Sequence, residues 1–260
     1  MKFCSLYSGS SGNSLYVEGS HGRVLIDAGL SGIKISTALK QIESDINTIK
    51  GILVSHDHSD HVKGIGVLSR KYDIPLYMNE GTWNAVKDQI GKVKDDNIRL
   101  FENEKPIEIE DLIIKAFSIH HDAADPVGFS ISSNKTKVSI VTDTGMMDEY
   151  IYESIKGSDL VVMESNHDVN MLMAGRYPYF LKKRVAGDKG HLSNECAADT
   201  VVKLAVEGLE KVVLAHLSEE NNFPQLAMET TNNKLREHKL DDCVCVEVAC
   251  RFSPGNIYNL

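Results

Sequence analysis

The stretch Gly51-Ile52-Leu53-Val54-Ser55-His56-Asp57-His58-Ser59-Asp60-His61 decides how the rest of the chain is read. Ile52 to Ser55 is a short apolar run that predicts a strand, and HVKGIGVLSRKYD behind the hexapeptide returns to helical spacing. The polar cluster therefore falls on a loop at the exit of a strand, where a rigid scaffold commonly displays its reactive groups. Imidazole and carboxylate are the ligands that zinc and its neighbours accept, and His56, His58, Asp60 and His61 supply both kinds within six positions. Burying such a cluster without a cation would be costly. The plainer reading, a solvated polar loop, weakens as the same theme recurs further along.

It recurs at three more expected strand ends. LIIKAFSI runs into His120-His121-Asp122, TKVSIVTD ends at Asp143, and KVVLA runs into His216. Singly these are weak signals, because Asp143 before Gly145 also suits a turn and a lone His216 suits a surface. Their weight lies in repetition: ligand-type side chains placed where several strands leave the core can converge on one rim.

The remaining pattern fits an α/β protein with two sheets and outer helices. KFCSLYS, SLYVEG and RVLIDAG read as strands separated by SGSSGN and SHG, and after Val141 helix and strand alternate. No linker-like or repetitive segment divides the chain, so one domain over 1–260 is expected. No apolar run approaches the ~20 residues that span a bilayer, and the amino terminus lacks a basic region followed by an apolar one, so a cytoplasmic protein with no membrane partner is expected. The cysteines are scattered and read as buried reduced thiols. A formal net charge of −9 disfavours broad nucleic-acid binding, although local basic patches can exist on an acidic chain.

The order HxHxDH, then a histidine, an aspartate and a histidine at strand ends, resembles the metallo-β-lactamase superfamily over nearly the whole chain, with VLIDAG and Asp27 resembling its first motif. The resemblance implies a four-layer αββα sandwich and two divalent metal ions, zinc or manganese. Carried over, His56, His58 and His121 hold one metal, Asp60, His61 and His216 the other, and Asp143 bridges them, while Asp27 orients the metal loop. His120 competes with His121; the family pattern puts the ligand directly before the aspartate of HDAADPVGF, which selects His121. Asp143 stands where the best-known true β-lactamases carry cysteine, and His58 stands where flavo-di-iron oxidoreductases carry glutamate. Antibiotic hydrolysis and iron redox chemistry are therefore disfavoured.

Two further segments bear on substrate. Ser10, Ser11 and Asn13 lie in SGSSGNS, and Ser193 and Asn194 in GHLSN; glycines, hydroxyls and amides of this kind suit phosphate oxygens, but also ordinary turns and helix caps. With HLSEENN they resemble the small bacterial WalJ/YycJ-type branch, which implies 5′-3′ exonuclease action on DNA, single-stranded or 5′-ended, with a link to mismatch repair. The interval 144–215 leaves no room for the large inserted domain of RNA-processing relatives. Within it, Arg176-Tyr-Pro-Tyr-Phe-Leu-Lys182-Lys183-Arg184 reads either as a clamp for single strands or as an amphipathic helix with its aromatics packed inward.

The expected chemistry is phosphodiester hydrolysis by a hydroxide shared between two cations ~3.5–4 Å apart. Asp60 would bind metal and orient the water, and His191 would protonate or stabilise the leaving oxygen or hold a phosphate. Asp27 and Asp57 are candidates for orienting the ligating rings. Two other functions remain: a small-molecule or cyclic-nucleotide phosphodiesterase of the same fold, and a non-catalytic metal-holding, DNA-binding or regulatory module.

Overall fold

A computed structural model describes residues 1–260. The chain groups into two compact units, the first comprising Met1–Ala116, Ala123–Thr136 and Cys250–Leu260, the second Phe117–Asp122 and Lys137–Ala249. In chain order the first part runs β1 (Lys2–Tyr7), β2 (Ser14–Glu18), β3 (Arg23–Ile26), α1 (Gly32–Gln41), β4 (Gly51–Leu53), α2 (Ser59–Val62), α3 (Ile65–Tyr72), β5 (Leu76–Asn79), α4 (Glu80–Val86), β6 (Ile98–Phe101), β7 (Pro106–Ile109), β8 (Leu112–Ser118) and β9 (Val127–Ser133). There follow β10 (Thr136–Val141), α5 (Glu149–Ile155), β11 (Leu160–Glu164), α6 (Val169–Ala174), α7 (Tyr179–Val185), α8 (Asn194–Val206), β12 (Lys211–Ala215), α9 (Pro224–Glu237), β13 (Cys245–Val248) and β14 (Ile257–Asn259).

The strands form two mixed seven-stranded sheets, ordered β14-β1-β2-β3-β4-β5-β6 and β13-β12-β11-β10-β9-β8-β7. Connection length explains the mixture. The short SGSSGN and SHG turns force β1, β2 and β3 to pair antiparallel, whereas α1, α3 and α4 carry the chain back so that β3, β4, β5 and β6 run parallel. The same rule operates later: β10, β11, β12 and β13 are parallel and are joined through helices.

In the first unit Leu25, Ile52 and Val54 pack with Ile35 and Leu39 of α1 and Ile65 and Leu68 of α3. Ile52, Leu53 and Val54 are all buried, so this strand is covered on both faces and reads as a continuous apolar run rather than an alternating one. In the second unit Val141, Val161, Met163, Val212 and Leu214 pack with Ile151 and Ile155 of α5, Val201 and Leu204 of α8 and Leu235 of α9. No helix is long and apolar enough to cross a membrane.

The cysteines depart from expectation. Only Cys4 is buried, and desolvation pushes its thiol up to about 11. Cys196, Cys243, Cys245 and Cys250 are exposed and free. Cys245 opens β13, the edge of its sheet, and an edge strand has no second neighbour to cover it.

Asp111, in the turn between β7 and β8, accepts from the backbone amides of Ser20 (2.6 Å), His21 (2.9 Å) and Gly22 (2.7 Å) and from the Ser133 hydroxyl (2.8 Å). Burial opposes its ionisation, but these donors outweigh burial and hold the carboxyl well below the ordinary carboxylate range. A depressed folded-state pKa contributes stability that is present above the unfolded value of about 4 and lost as pH falls beneath it. Asp111→Ala is expected to lower the melting temperature at pH 7, and the gap from the parent should narrow below about pH 4. A gap that stays constant or widens in acid would show that the carboxylate charge contributes nothing.

Candidate metal centre

The histidine loop of the first unit is built on Asp27, the residue at which the chain leaves β3. Its amide donates to Leu53 O (2.8 Å), and its backbone is left-handed, with φ of 60°. Asp27 Oδ1 accepts from the Ser55 amide (2.8 Å), while Oδ2 accepts from the Ser55 hydroxyl (2.7 Å) and lies 2.7 Å from His61 Nδ1. Because the Ser55 proton goes to Asp27, Ser55 Oγ is left to accept from His56 Nδ1 at 2.9 Å. One carboxylate thus places the proton of both His56 and His61 on Nδ1 and the lone pair on Nε2, the form that ligates a cation. Both rings are fully buried, with centroids 4.0 Å apart, and His58 lies 4.8 Å from His56.

Asp60 sits in the first turn of α2, with Oδ2 3.5 Å from His61 Nε2. The loop is pinned from beneath by Asn13, whose backbone amide donates to Asp60 O (2.8 Å) and whose side-chain amide reaches Asp60 Oδ2 (3.2 Å) and His61 Nε2 (3.0 Å). A Cβ at position 29 would come within 1.6 Å of Asp60 O, so only glycine admits this approach. Asn13, expected at substrate, therefore braces the ligand loop. Ser10 and Ser11 are exposed on the turn closed by Gly12 N to Gly9 O (2.9 Å). Asp57, expected to orient an imidazole, accepts instead from the Ala124 amide at 2.9 Å.

The second unit repeats this logic with a residue that the sequence reading missed. Glu164, the last residue of β11, is fully buried. Its Oε1 lies 2.8 Å from His191 Nδ1 and 2.9 Å from His216 Nδ1, and its Oε2 accepts from the amides of Thr144 (2.9 Å) and Leu192 (3.2 Å). Burial raises the cost of its charge, yet the facing histidines and their hydrogen bonds hold the carboxyl below its usual range. Asp143 and His216 also leave their strands with left-handed backbone, φ 59° and 54°. Asp143 Oδ1 is 3.3 Å from His216 Nδ1, and Asp143, Glu164, His191 and His216 offer one ligand-type atom each within 4.8 Å. The short distances run through Nδ1, which both rings commit to Glu164, so this quartet is an anchoring network that leaves the lone pair of each neutral ring on Nε2. One strand-end rule would have found Glu164: LVVME is an apolar run closed by a carboxylate, as TKVSIVTD is.

The paired histidines separate cleanly. His120 Nε2 lies 2.6 Å from Asp148 Oδ2, the cap of α5. His121 is buried and its Nδ1 donates to Gly190 O (3.2 Å), which again leaves Nε2 with the lone pair. Each unit thus offers anchored imidazoles beside a carboxylate, His56 and His61 with Asp60 in the first and His121 and His216 with Asp143 in the second, donors whose chemistry fits divalent cations. His167, beside Asp168, is also buried, and desolvation takes its pKa down to about 4, so it is neutral at ordinary pH.

The residues expected to touch substrate divide differently. Ser193 caps α8, accepting from Cys196 N. Asn194 is fully buried, accepting from Ser165 Oγ (2.6 Å) and donating to Asn222 Oδ1 (3.0 Å), so its amide is used within the fold. Lys182 Nζ donates to Met173 O (2.6 Å), and Arg184 Nε pairs with Asp122 Oδ2 (2.5 Å). Lys183 stands 5.7 Å over the Tyr179 ring. The inward-packed alternative for this helix fails, since Tyr179 and Phe180 are each 73% exposed.

If Glu164 anchors two rings, Glu164→Gln should weaken divalent-metal affinity on the order of 10–100-fold, because an amide cannot accept from both imidazoles and two backbone amides alike. Titration of the demetallated protein with zinc or manganese, followed calorimetrically, measures this. Affinity unchanged from the parent would show the network to be dispensable.

The family model described as "Beta-lactamase superfamily domain" matches residues 22–217. The chain is 43% identical over 237 residues to the exodeoxyribonuclease YycJ of Bacillus anthracis, covering 91% of this chain and 90% of the relative. It is 39% identical over 241 residues to the exodeoxyribonuclease WalJ of Streptococcus pneumoniae, covering 92% and 90%. Among solved structures, the metallo-β-lactamase-fold protein YhfI of Bacillus subtilis superposes with a TM-score of 0.72 at 15% identity over 99% of this chain and 98% of that one, a likeness of fold. Matched by a family model over most of its length and by two relatives almost end to end, the chain belongs to the beta-lactamase superfamily, with the metallo-β-lactamase fold.

Proposed function

We propose that this protein is a metal-dependent phosphodiesterase that degrades DNA exonucleolytically from a 5′ end, in the cytoplasm and in the service of DNA repair. One observation carries the reading: His56, His61, His121 and His216 are each anchored through Nδ1, in a chain 43% identical over 237 residues to a relative named as an exodeoxyribonuclease. In this reading residues 1–260 work as one domain and hold two divalent cations, zinc or manganese. His56, His58 and His121 take one, Asp60, His61 and His216 the other, and Asp143 is shared.

Bound divalent cations supply Lewis acidity, lowering the pKa of water and neutralising the nonbridging phosphate oxygens. The chain's own residues do the rest. Asp27 and Glu164 keep the ligating nitrogens aimed without reorganisation during turnover, which is where preorganised polar sites gain their advantage. Asp60, its Oδ2 held by Asn13, is placed to accept a proton from the attacking water. His191 is the candidate acid: Glu164 accepts at Nδ1 whichever charge the ring carries, so the ring stays oriented and Nε2 is the atom that passes a proton to the leaving oxygen. Its side chain is 18% exposed, whereas that of His216 is 4% exposed, so His191 keeps contact with solvent.

Purified protein loaded with zinc or manganese should release nucleotides from 5′-phosphorylated, end-labelled DNA, and chelation should abolish release. Asp60→Ala should reduce turnover by about 100-fold or more, as should His191→Ala if it is the acid, since such proton transfers contribute on the order of 10²-fold. Hydrolysis of a cyclic phosphodiester in preference to DNA would replace the substrate class. DNA binding with no cleavage in either metal would replace the enzyme by a binding module. His191→Ala within about threefold of the parent would remove the acid role.

A further inference from the structure

We propose that Tyr179 and Phe180 form a stacking platform for the unpaired bases of single-stranded DNA. This deepens the exonuclease reading and rests on it, by naming the part of the chain that grips the strand.

Both rings are 73% exposed at the start of α7, and neighbouring Met173 is 50% exposed. Burying such side chains is ordinarily worth ~1.5–3 kcal/mol each, so leaving them together in water is not explained by packing. The helix beneath them is held firmly. Lys182 Nζ is tied to Met173 O, Arg184 to Asp122, and Val185 is buried with its carbonyl accepting from His191 N (2.9 Å). Flat aromatic faces on a fixed base lose little freedom when a nucleobase lands on them.

Charge chooses among occupants. With Arg184 already paired to Asp122, Arg176, Lys182, Lys183 and Lys189 still concentrate in a short segment of a chain whose net charge is −9, and Lys183 lies over the Tyr179 ring. Cations interleaved with exposed rings match a polyanion that also presents flat apolar faces, which a single strand does and a duplex, with its bases paired and stacked, does not. Beside the helix an open cleft of about 910 Å³ is lined by Met171, Ala174, Gly175, Arg176, Tyr177 and Glu220. Position supports the same choice. Arg184 grips the residue after His121, and the segment following α7 leads through Gly190, which accepts from His121, directly to His191. A strand stacked on α7 is thus held by an element bonded to His191 and to Asp122, the residue after His121.

The test measures binding without turnover. Fluorescence anisotropy with a short 5′-phosphorylated oligothymidylate, in chelator, compares the parent with the double variant Tyr179→Ala/Phe180→Ala and with the ring-preserving exchange Tyr179→Phe/Phe180→Tyr. Loss of both rings should weaken binding about tenfold or more, from stacking contacts that each contribute severalfold upward, and the exchange should restore it to within about twofold. An abasic oligomer of equal length should bind the parent about as weakly as the oligothymidylate binds the double alanine variant, and this arm needs no mutant to fold. Double-alanine binding within about twofold of the parent, or equal parent affinity for abasic and base-bearing oligomers, overturns the proposal. So does loss of binding to phosphatidylserine vesicles with oligothymidylate affinity retained, which would make the rings a membrane anchor. A protein that binds through these rings yet cleaves nothing sinks the exonuclease reading instead, and the converse result sinks only the platform.

Discussion

A single buried carboxylate, that of Asp27, sets the protonation pattern of the histidine loop. It accepts from the amide and hydroxyl of Ser55 and from His61 Nδ1, and by using the Ser55 proton it obliges His56 to donate through Nδ1 as well. Remove that acceptor and neither ring has a reason to keep its lone pair on Nε2. The arrangement depends in turn on backbone geometry. Asp27 occupies left-handed φ, which costs a non-glycine residue on the order of 1 kcal/mol, and the charge-assisted hydrogen bonds it makes there offset that strain.

The second unit reaches the same chemical result by a different route. Glu164 is fully buried at the end of β11, and ionised it serves His191, His216 and two backbone amides at once. Asp143 and His216 carry the backbone strain here, each at a strand exit with positive φ. Strand ends recur because a parallel strand projects its last side chain beyond the sheet while its neighbours hold it rigid. Loops extending from such ends carry chemistry without sacrificing precision, as the short Ser55 to His61 connection shows.

Much of this is legible in the sequence. Strands were readable wherever apolar runs ended in turn residues, and the mixed sheets follow from short turns early and helical crossovers late. Ligand-type residues stand out because they gather where apolar strands end. Glu164 escaped notice although it obeys the same rule, since a lone carboxylate closing LVVME draws no attention until two histidines from distant segments are seen to share it. Asn13 and Asn194 were read as substrate contacts because amides in serine- and glycine-rich loops suit phosphate equally well; their hydrogen bonds to Asp60, Ser165 and Asn222 are long-range facts.

The sequence by itself determined which chemistry is present: the types of side chain, their order along the chain and their placement at strand exits, all of which depend on local pattern and period. Only the tertiary structure decided which nitrogen of each imidazole is anchored, that His120 serves Asp148 while His121 turns inward, and that the rings of α7 face outward. Those outcomes turn on partners brought together from segments far apart in the chain, and on whether another element covers a given helix face. Neither is encoded in the spacing of any one segment.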